Sequence, residues 1–194
     1  MKKKALLLIG YQNDYFSEDG ILRSVVEESS KVTNIIKNTV NLIQQTKDSP
    51  EIIIISTPIV FSENYSELTE PVGILKTIKS FGAFKKGTKG CETIDEIKQF
   101  GDSIIEIPGK LGLNAFFNTN LEETLRDHHV EHVYLAGTVA SICIDSTGRS
   151  AFERGFDVTM LSDCISGRTV FEKDFYVDNI FPLYANTCLS TEII

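Results

Sequence analysis

One cysteine stands where a chain can make it reactive. Val133-Tyr134-Leu135-Ala136 is a short apolar run, and Gly137 to Ile142 turns away from it. Cys143 then opens a segment in which Ile144, Thr147, Ala151 and Phe152 recur near helical spacing before Gly155 closes it. The pattern predicts strand, tight turn and helix, with the thiol at the helix N-terminus. Unpaired N–H groups and the positive end of the macrodipole favour negative charge there. The thiolate is the form of cysteine that attacks carbon. A second reading stands beside this one: free cysteine is among the most buried residues, and beneath a sheet its ordinary work is packing.

The elements that must position this thiol follow from the pattern of the chain. Strands are predicted at Lys4–Ile9, Ile52–Ile55, Ser103–Glu106, Val133–Ala136, Asp157–Leu161 and Thr187–Thr191. Between them the periodicity predicts a long helix within Glu28–Thr46, a helical turn at Ile94–Phe100, a helix capped by Asn120 and running to His128, and a helix over Glu172–Phe181. Ser56 to Gly90 is an irregular excursion with one short helix around Gly73–Ser80. Gly10 to Gly20 is a polar, aromatic-bearing loop placed to wall a site, because open parallel sheets bind ligands beyond the carboxyl ends of their strands. The alternation implies an α/β fold: a Rossmann-like three-layer α/β/α sandwich around a mainly parallel six-stranded sheet.

Composition narrows the function classes. The 194 residues suffice for a single domain with a sizeable core, and no repeat or linker divides them. Lys+Arg 19 against Asp+Glu 27 gives a formal net charge of -8, with no basic run beyond Lys2-Lys3-Lys4 and Lys85-Lys86. A nucleic-acid partner is not expected. No apolar run approaches bilayer-spanning length, so no membrane partner is expected and a cytoplasmic location is. Cys91, Cys143, Cys164 and Cys188 are scattered without a CxxC pair, which suggests neither a disulfide framework nor a zinc site. No GxGxxG or Walker pattern is present.

Three blocks then carry a resemblance. Ala5-Leu6-Leu7-Leu8-Ile9-Gly10-Tyr11-Gln12-Asn13-Asp14-Tyr15-Phe16 resembles an apolar strand followed by D-x-Q-N-D-F. The block Lys110 to Leu121 resembles K-x(3)-S-A-F-x-x-T-x-L, and Ala136 to Arg149 resembles A-G-x-x-T-x-x-C-V-x-x-T-A-R. These are the patterns of the isochorismatase-like cysteine hydrolases, the superfamily of nicotinamidase, N-carbamoylsarcosine amidase and isochorismatase. Asn114, Ala140 and Gly148 depart from them, in place of serine, threonine and alanine. The order and spacing of the blocks span nearly the whole chain.

The resemblance implies hydrolysis of a small amide by a Cys-Lys-Asp triad through a thioester. It assigns the nucleophile to Cys143 and its electrostatic partner to Lys110. It implies an oxyanion hole from the backbone N–H groups of Val139 and Cys143, with a cis peptide between Thr138 and Val139. Tyr15, Phe16 and Phe116 are expected to line the substrate pocket by the same analogy, although Phe116 and Phe117 also read as one core and one lid residue. The triad aspartate falls on Gly10, which offers no proton acceptor; Asp14, Glu18 and Asp19 are the carboxylates that the loop holds. Ser56 to Asn64 has no histidine where nicotinamidases carry metal ligands, and His128, His129 and His132 read as solvated surface, so neither metal nor cofactor is expected. The resemblance further implies a homodimer or homotetramer. With the aspartate missing, a catalytically degenerate module that binds a small molecule or a protein is the alternative.

Overall fold

The computed structural model describes residues 3–193; Met1, Lys2 and Ile194, and with Lys2 part of the first basic run, lie outside the described residues. Six strands form one sheet: β1 (Lys3–Ile9), β2 (Ile52–Ser56), β3 (Ile105–Glu106), β4 (Val130–Thr138), β5 (Asp157–Ser166) and β6 (Asn186–Cys188). Their order is β3-β2-β1-β4-β5-β6, and every pairing is parallel. Parallel strands covered on both faces are apolar throughout, not alternating. β1 is of this kind, with Ala5, Leu6, Leu7, Leu8 and Ile9 all fully buried.

The helices are α1 (Asn13–Phe16), α2 (Arg23–Thr33), α3 (Ile35–Thr46), α4 (Gly73–Phe81), α5 (Asp95–Lys98), α6 (Leu121–Asp127), α7 (Asp145–Glu153) and α8 (Val170–Phe175). Ala5, Leu7 and Ile9 face a core shared with Leu121 and Leu125 of α6 and Ala151 of α7. Leu6 and Leu8 face Ile35, Leu42 and Ile43 of α3 and Ile97 of α5. A third cluster joins Tyr15, Val26, Phe61, Ile78, Phe84 and Val139, and packs the 56–90 excursion against α1 and α2. Each fully buried Leu, Ile or Phe stabilises by about 1.5–3 kcal/mol, so all three clusters matter to the fold.

Several elements differ from their predicted bounds. The helix predicted within Glu28–Thr46 is two helices, broken at Asn34, whose φ of 53° is left-handed. Asparagine tolerates that region better than most residues. β3 is shortened because Gly101–Ser103 forms a 3₁₀ turn. β4 and β5 run longer than predicted at both or one end. β6 starts at Asn186 and stops at Cys188, since the Asp163 carboxylate accepts from both the N–H and the hydroxyl of Ser190, at 2.8 and 2.7 Å, and draws the chain off the ladder. Asn120 stands at the start of α6 without a side-chain cap; the Thr119 hydroxyl accepts from Leu121 N instead, at 3.3 Å. The last predicted helix is α8 followed by a π turn (Tyr176–Ile180) and a 3₁₀ turn containing Pro182, where an α-helix would need an N–H that proline lacks.

Candidate active site

Strand order reverses direction between β1 and β4, and a crevice opens at such a switch point beyond the strand carboxyl ends. The two strands approach very closely there. Ile9 pairs with Gly137, whose φ is 131°, and a Cβ at Gly137 would collide with the Ile9 carbonyl. The next residue out on β1 is Gly10, and on β4 the chain leaves through the Thr138–Val139 peptide, which is cis. The N–H of Val139 donates to no acceptor among the described residues.

Cys143 follows within a π-helical turn, Ala140–Ile144, that leads into α7. The thiol is therefore on a wide turn ahead of the α-helix, not at its first residue as the spacing predicts. Ile142 N and Ile144 N both donate to Val139 O, at 3.0 and 3.2 Å, which pins the turn to the strand end. Single π turns of this kind are frequent at functional sites. Cys143 is 3% exposed.

Lys110 arrives from the opposite side. Its backbone bridges Ile59 in the excursion, and its side chain is fully buried. The ammonium donates to Gly112 O at 2.6 Å and to Cys143 Sγ at 3.3 Å. No carboxylate pairs with it among the described residues. A buried cation is costly unless compensated, and the sulfur is the group here that can carry the opposite charge.

Gly10 has φ +77°, and a Cβ on it would stand 2.9 Å from Thr138 O and 3.5 Å from Tyr15 Cε2. The backbone has adopted a conformation that L side chains rarely take. Restoring an aspartate would require the loop to rearrange. The loop carboxylates do not fill the gap. Asp14 accepts from Phe84 N at 2.6 Å and from Ile21 N at 3.4 Å, so it is spent on backbone groups. Glu18 is exposed, and Asp19 is exposed beside Lys89.

The aromatic residues separate. Tyr15 is 1% exposed, packed on Phe84 with ring centroids 5.0 Å apart. Burial first, then the negative potential of Cys143 and of Asp14, push its hydroxyl well above the ordinary tyrosine value. Phe16 stacks on Tyr11 at 5.8 Å and, with Tyr15, lines a cavity of about 470 Å³ between α1, α2 and α3. That cavity also touches Arg23, Glu27 and Ile36 but neither Cys143 nor Lys110. Phe116 is a core residue, stacked on Phe156 at 6.2 Å with the Arg154 guanidinium 4.9 Å from its ring, while Phe117 is exposed. Phe116 thus packs as the core member of the pair, against the expectation that it lines the pocket.

The histidine reading also needs amending. His128 and His129 are exposed, but His132 is half-buried, bonded to Thr159 Oγ1 at 2.8 Å and stacked on Tyr134. Among the described residues no three His, Cys, Asp or Glu side chains gather as metal ligands would. Also among the described residues, no helix is long and apolar enough to cross a membrane.

Gln12 was not singled out from the sequence, yet it organises the site wall. Its amide donates to Ile59 O and Cys91 O, both at 2.7 Å, and accepts from Ile59 N at 2.8 Å. Asn13 Nδ2 donates to Lys89 O at 2.9 Å. Three consecutive polar residues therefore clamp the excursion over the strand ends. The signal was their presence as a polar run directly after a buried strand.

Known proteins share this fold. Ureidoacrylate amidohydrolase RutB of Variovorax paradoxus (strain S110) is 29% identical over 177 residues, covering 82% of this chain and 67% of that protein. A cysteine hydrolase structure from Pseudomonas syringae pv. phaseolicola 1448A superposes with TM-score 0.86 at 16% identity, over 98% and 90% of the two chains. N-carbamoylsarcosine amidase from Thermoplasma acidophilum gives TM-score 0.75 at 21% identity, over 97% and 96%. The isochorismatase domain pattern matches residues 4–192, so the chain belongs to the isochorismatase family.

Proposed function

We propose that this protein is a single-domain cysteine hydrolase of a small amide, with Cys143 as nucleophile and Lys110 as the cation that stabilises its negative form. The observation that carries the reading is the fully buried Lys110 ammonium 3.3 Å from Cys143 Sγ at the sheet's switch point. The sulfur attacks the carbonyl carbon, and the Val139 and Cys143 N–H groups receive the developing oxyanion. The C–N bond breaks to leave a thioester, which water hydrolyses. The amide substrate class is supported by the similarity to a ureidoacrylate amidohydrolase. Neither a metal nor a cofactor is assigned a role.

A second reading rests on Gly10. Its left-handed, crowded backbone is compatible with a loop that carries no carboxylate at this position, which supports a non-hydrolytic binding module. One experiment separates the two. Ammonia release is measured on a panel of ureido acids, N-carbamoyl amino acids and nicotinamide, with intact-mass detection of an acyl adduct on Cys143. Turnover with a Cys143 thioester supports the hydrolase. Ligand-induced stabilisation without turnover or adduct supports the binding module and sinks the first reading.

A further inference from the structure

The turn that carries Cys143 is tied down from a distant part of the chain. Asp145 donates its N–H to Ala140 O and Ile142 O, and the first of these is the i→i+5 bond that makes the turn π-helical. The Asp145 carboxylate is held at both oxygens. Arg149 Nε, in the same helix, donates to Oδ2 at 2.9 Å, and Tyr184 Oη donates to Oδ1 at 3.0 Å. The Tyr184 hydroxyl also lies 3.4 Å from Asp145 O. Tyr184 stands between the Phe181–Leu183 turn and β6, so this bond joins a separate segment to the Cys143 turn. Its ring is held by Phe152, with centroids 6.4 Å apart, and by the Arg149 guanidinium 4.7 Å from its centroid. Burial first, then the Asp145 carboxylate, keep the hydroxyl protonated and therefore a donor. Gly148, which replaces the alanine of the family pattern, makes room for it: a Cβ there would collide with Met160 Cε and stand 3.0 Å from Tyr184 Oη.

We propose that Tyr184 is a positioning residue for the nucleophile: its hydroxyl, through Asp145, holds the Ala140–Ile144 turn in the π form that sets Cys143 Sγ 3.3 Å from the Lys110 ammonium. The proposal rests on the hydrolase reading above and names what keeps that pair assembled. A π turn holds one residue more than an α turn, so a turn that relaxes to i→i+4 bonding rotates Cys143 relative to Lys110. The ammonium then favours the thiolate less. Tyr184 acts on the sulfur only through the turn.

The test is the rate of Cys143 alkylation by iodoacetamide, read by peptide mass spectrometry at pH 7 and pH 10. Tyr184→Phe removes one hydroxyl and keeps the ring. Its rate at pH 7 should fall about fivefold, while at pH 10, where an ordinary thiol is ionised, it should stay within about twofold of wild type. A tyrosine that only braces the fold gives the opposite sign, because loosened packing exposes a thiol now 3% exposed and speeds labelling at both pH values. An unchanged or faster rate at pH 7, or equal slowing at both, overturns the proposal. In an Asp145→Ala background the effect of Tyr184→Phe should shrink to within about twofold, since the hydroxyl has lost its carboxylate; an undiminished loss there overturns the route through Asp145. Lys110→Met, measured alongside, separates the failures. Slower labelling at pH 7 in Lys110→Met with none in Tyr184→Phe overturns the positioning role alone. A wild-type Cys143 that resists labelling, or whose rate climbs from pH 7 to pH 10 as steeply as a free thiol's, overturns the hydrolase reading as well.

Discussion

Two buried cysteines sit at neighbouring strand ends of this sheet and live in opposite electrostatic surroundings. Cys143, beyond β4, faces an ammonium at 3.3 Å. Cys164, within β5, is fully buried, and burial together with the adjacent Asp163 carboxylate pushes its thiol up to about 12. Its carbonyl accepts from Tyr11 Oη at 3.2 Å, and Tyr11 in turn meets Thr39 at 2.6 Å, so the segment stitches β5 to α3. Burial alone therefore does not separate a structural thiol from a candidate nucleophile; the sign of the charge buried with it does.

Four measurements would break or sharpen that contrast. The largest effect is expected from Cys143→Ala, which should reduce amide turnover by about 10³-fold or more, as loss of a nucleophile does; Cys164→Ala should leave turnover within about twofold. Full activity in Cys143→Ala would end the comparison. Lys110→Met keeps most of the volume and removes the charge. It should lower turnover by about 10²-fold and slow iodoacetamide labelling of Cys143 at pH 7 by about tenfold. An unchanged labelling rate would mean that the ammonium does not act on the sulfur.

The third test is selective labelling of native protein at pH 8 followed by peptide mass spectrometry. With its folded value near 12, the Cys164 thiol stays protonated at pH 8 and should remain unlabelled, while in guanidinium it labels like any free cysteine. The sign for stability follows from the same shift. The proton is held more tightly in the folded state, so the stabilisation is present below the ordinary thiol value of 9 and lost as pH rises toward 12. Rapid native labelling of Cys164 would contradict this environment. The smallest effect is on stability: Cys164→Ala should cost about 1 kcal/mol in urea unfolding, a typical core substitution.

Much of this was legible in the sequence. The six strands and their mainly parallel arrangement follow from apolar runs and turn residues, whereas the partnership of Lys110 with Cys143 was implied only by the family resemblance of the matched blocks. The misses have physical causes. Asn34 breaks a helix because it tolerates left-handed backbone, which periodicity does not report. The Phe116–Phe117 ambiguity was decided by Phe156 and Arg154, partners about 40 residues away in a different element. That Gly10 is conformationally committed, rather than simply lacking a side chain, depends on Thr138 across the sheet. No local pattern encodes a contact of that range.

The clamp of Gln12, Asn13 and Asp14 has a kinetic consequence. These residues reach Ile59, Lys89 and Phe84, with sequence separations of 47, 76 and 70. Each is a non-local closure, and non-local closures slow folding. Because the three residues are contiguous, the first closure brings the others within short range, and each doubling of loop length adds only about 0.6 kcal/mol of closure entropy. The excursion that bridges Lys110 through Ile59 should therefore dock, and undock, as one cooperative unit. The lifetime of the assembled site is then governed by the three-residue latch as a whole and not by the sheet beneath it.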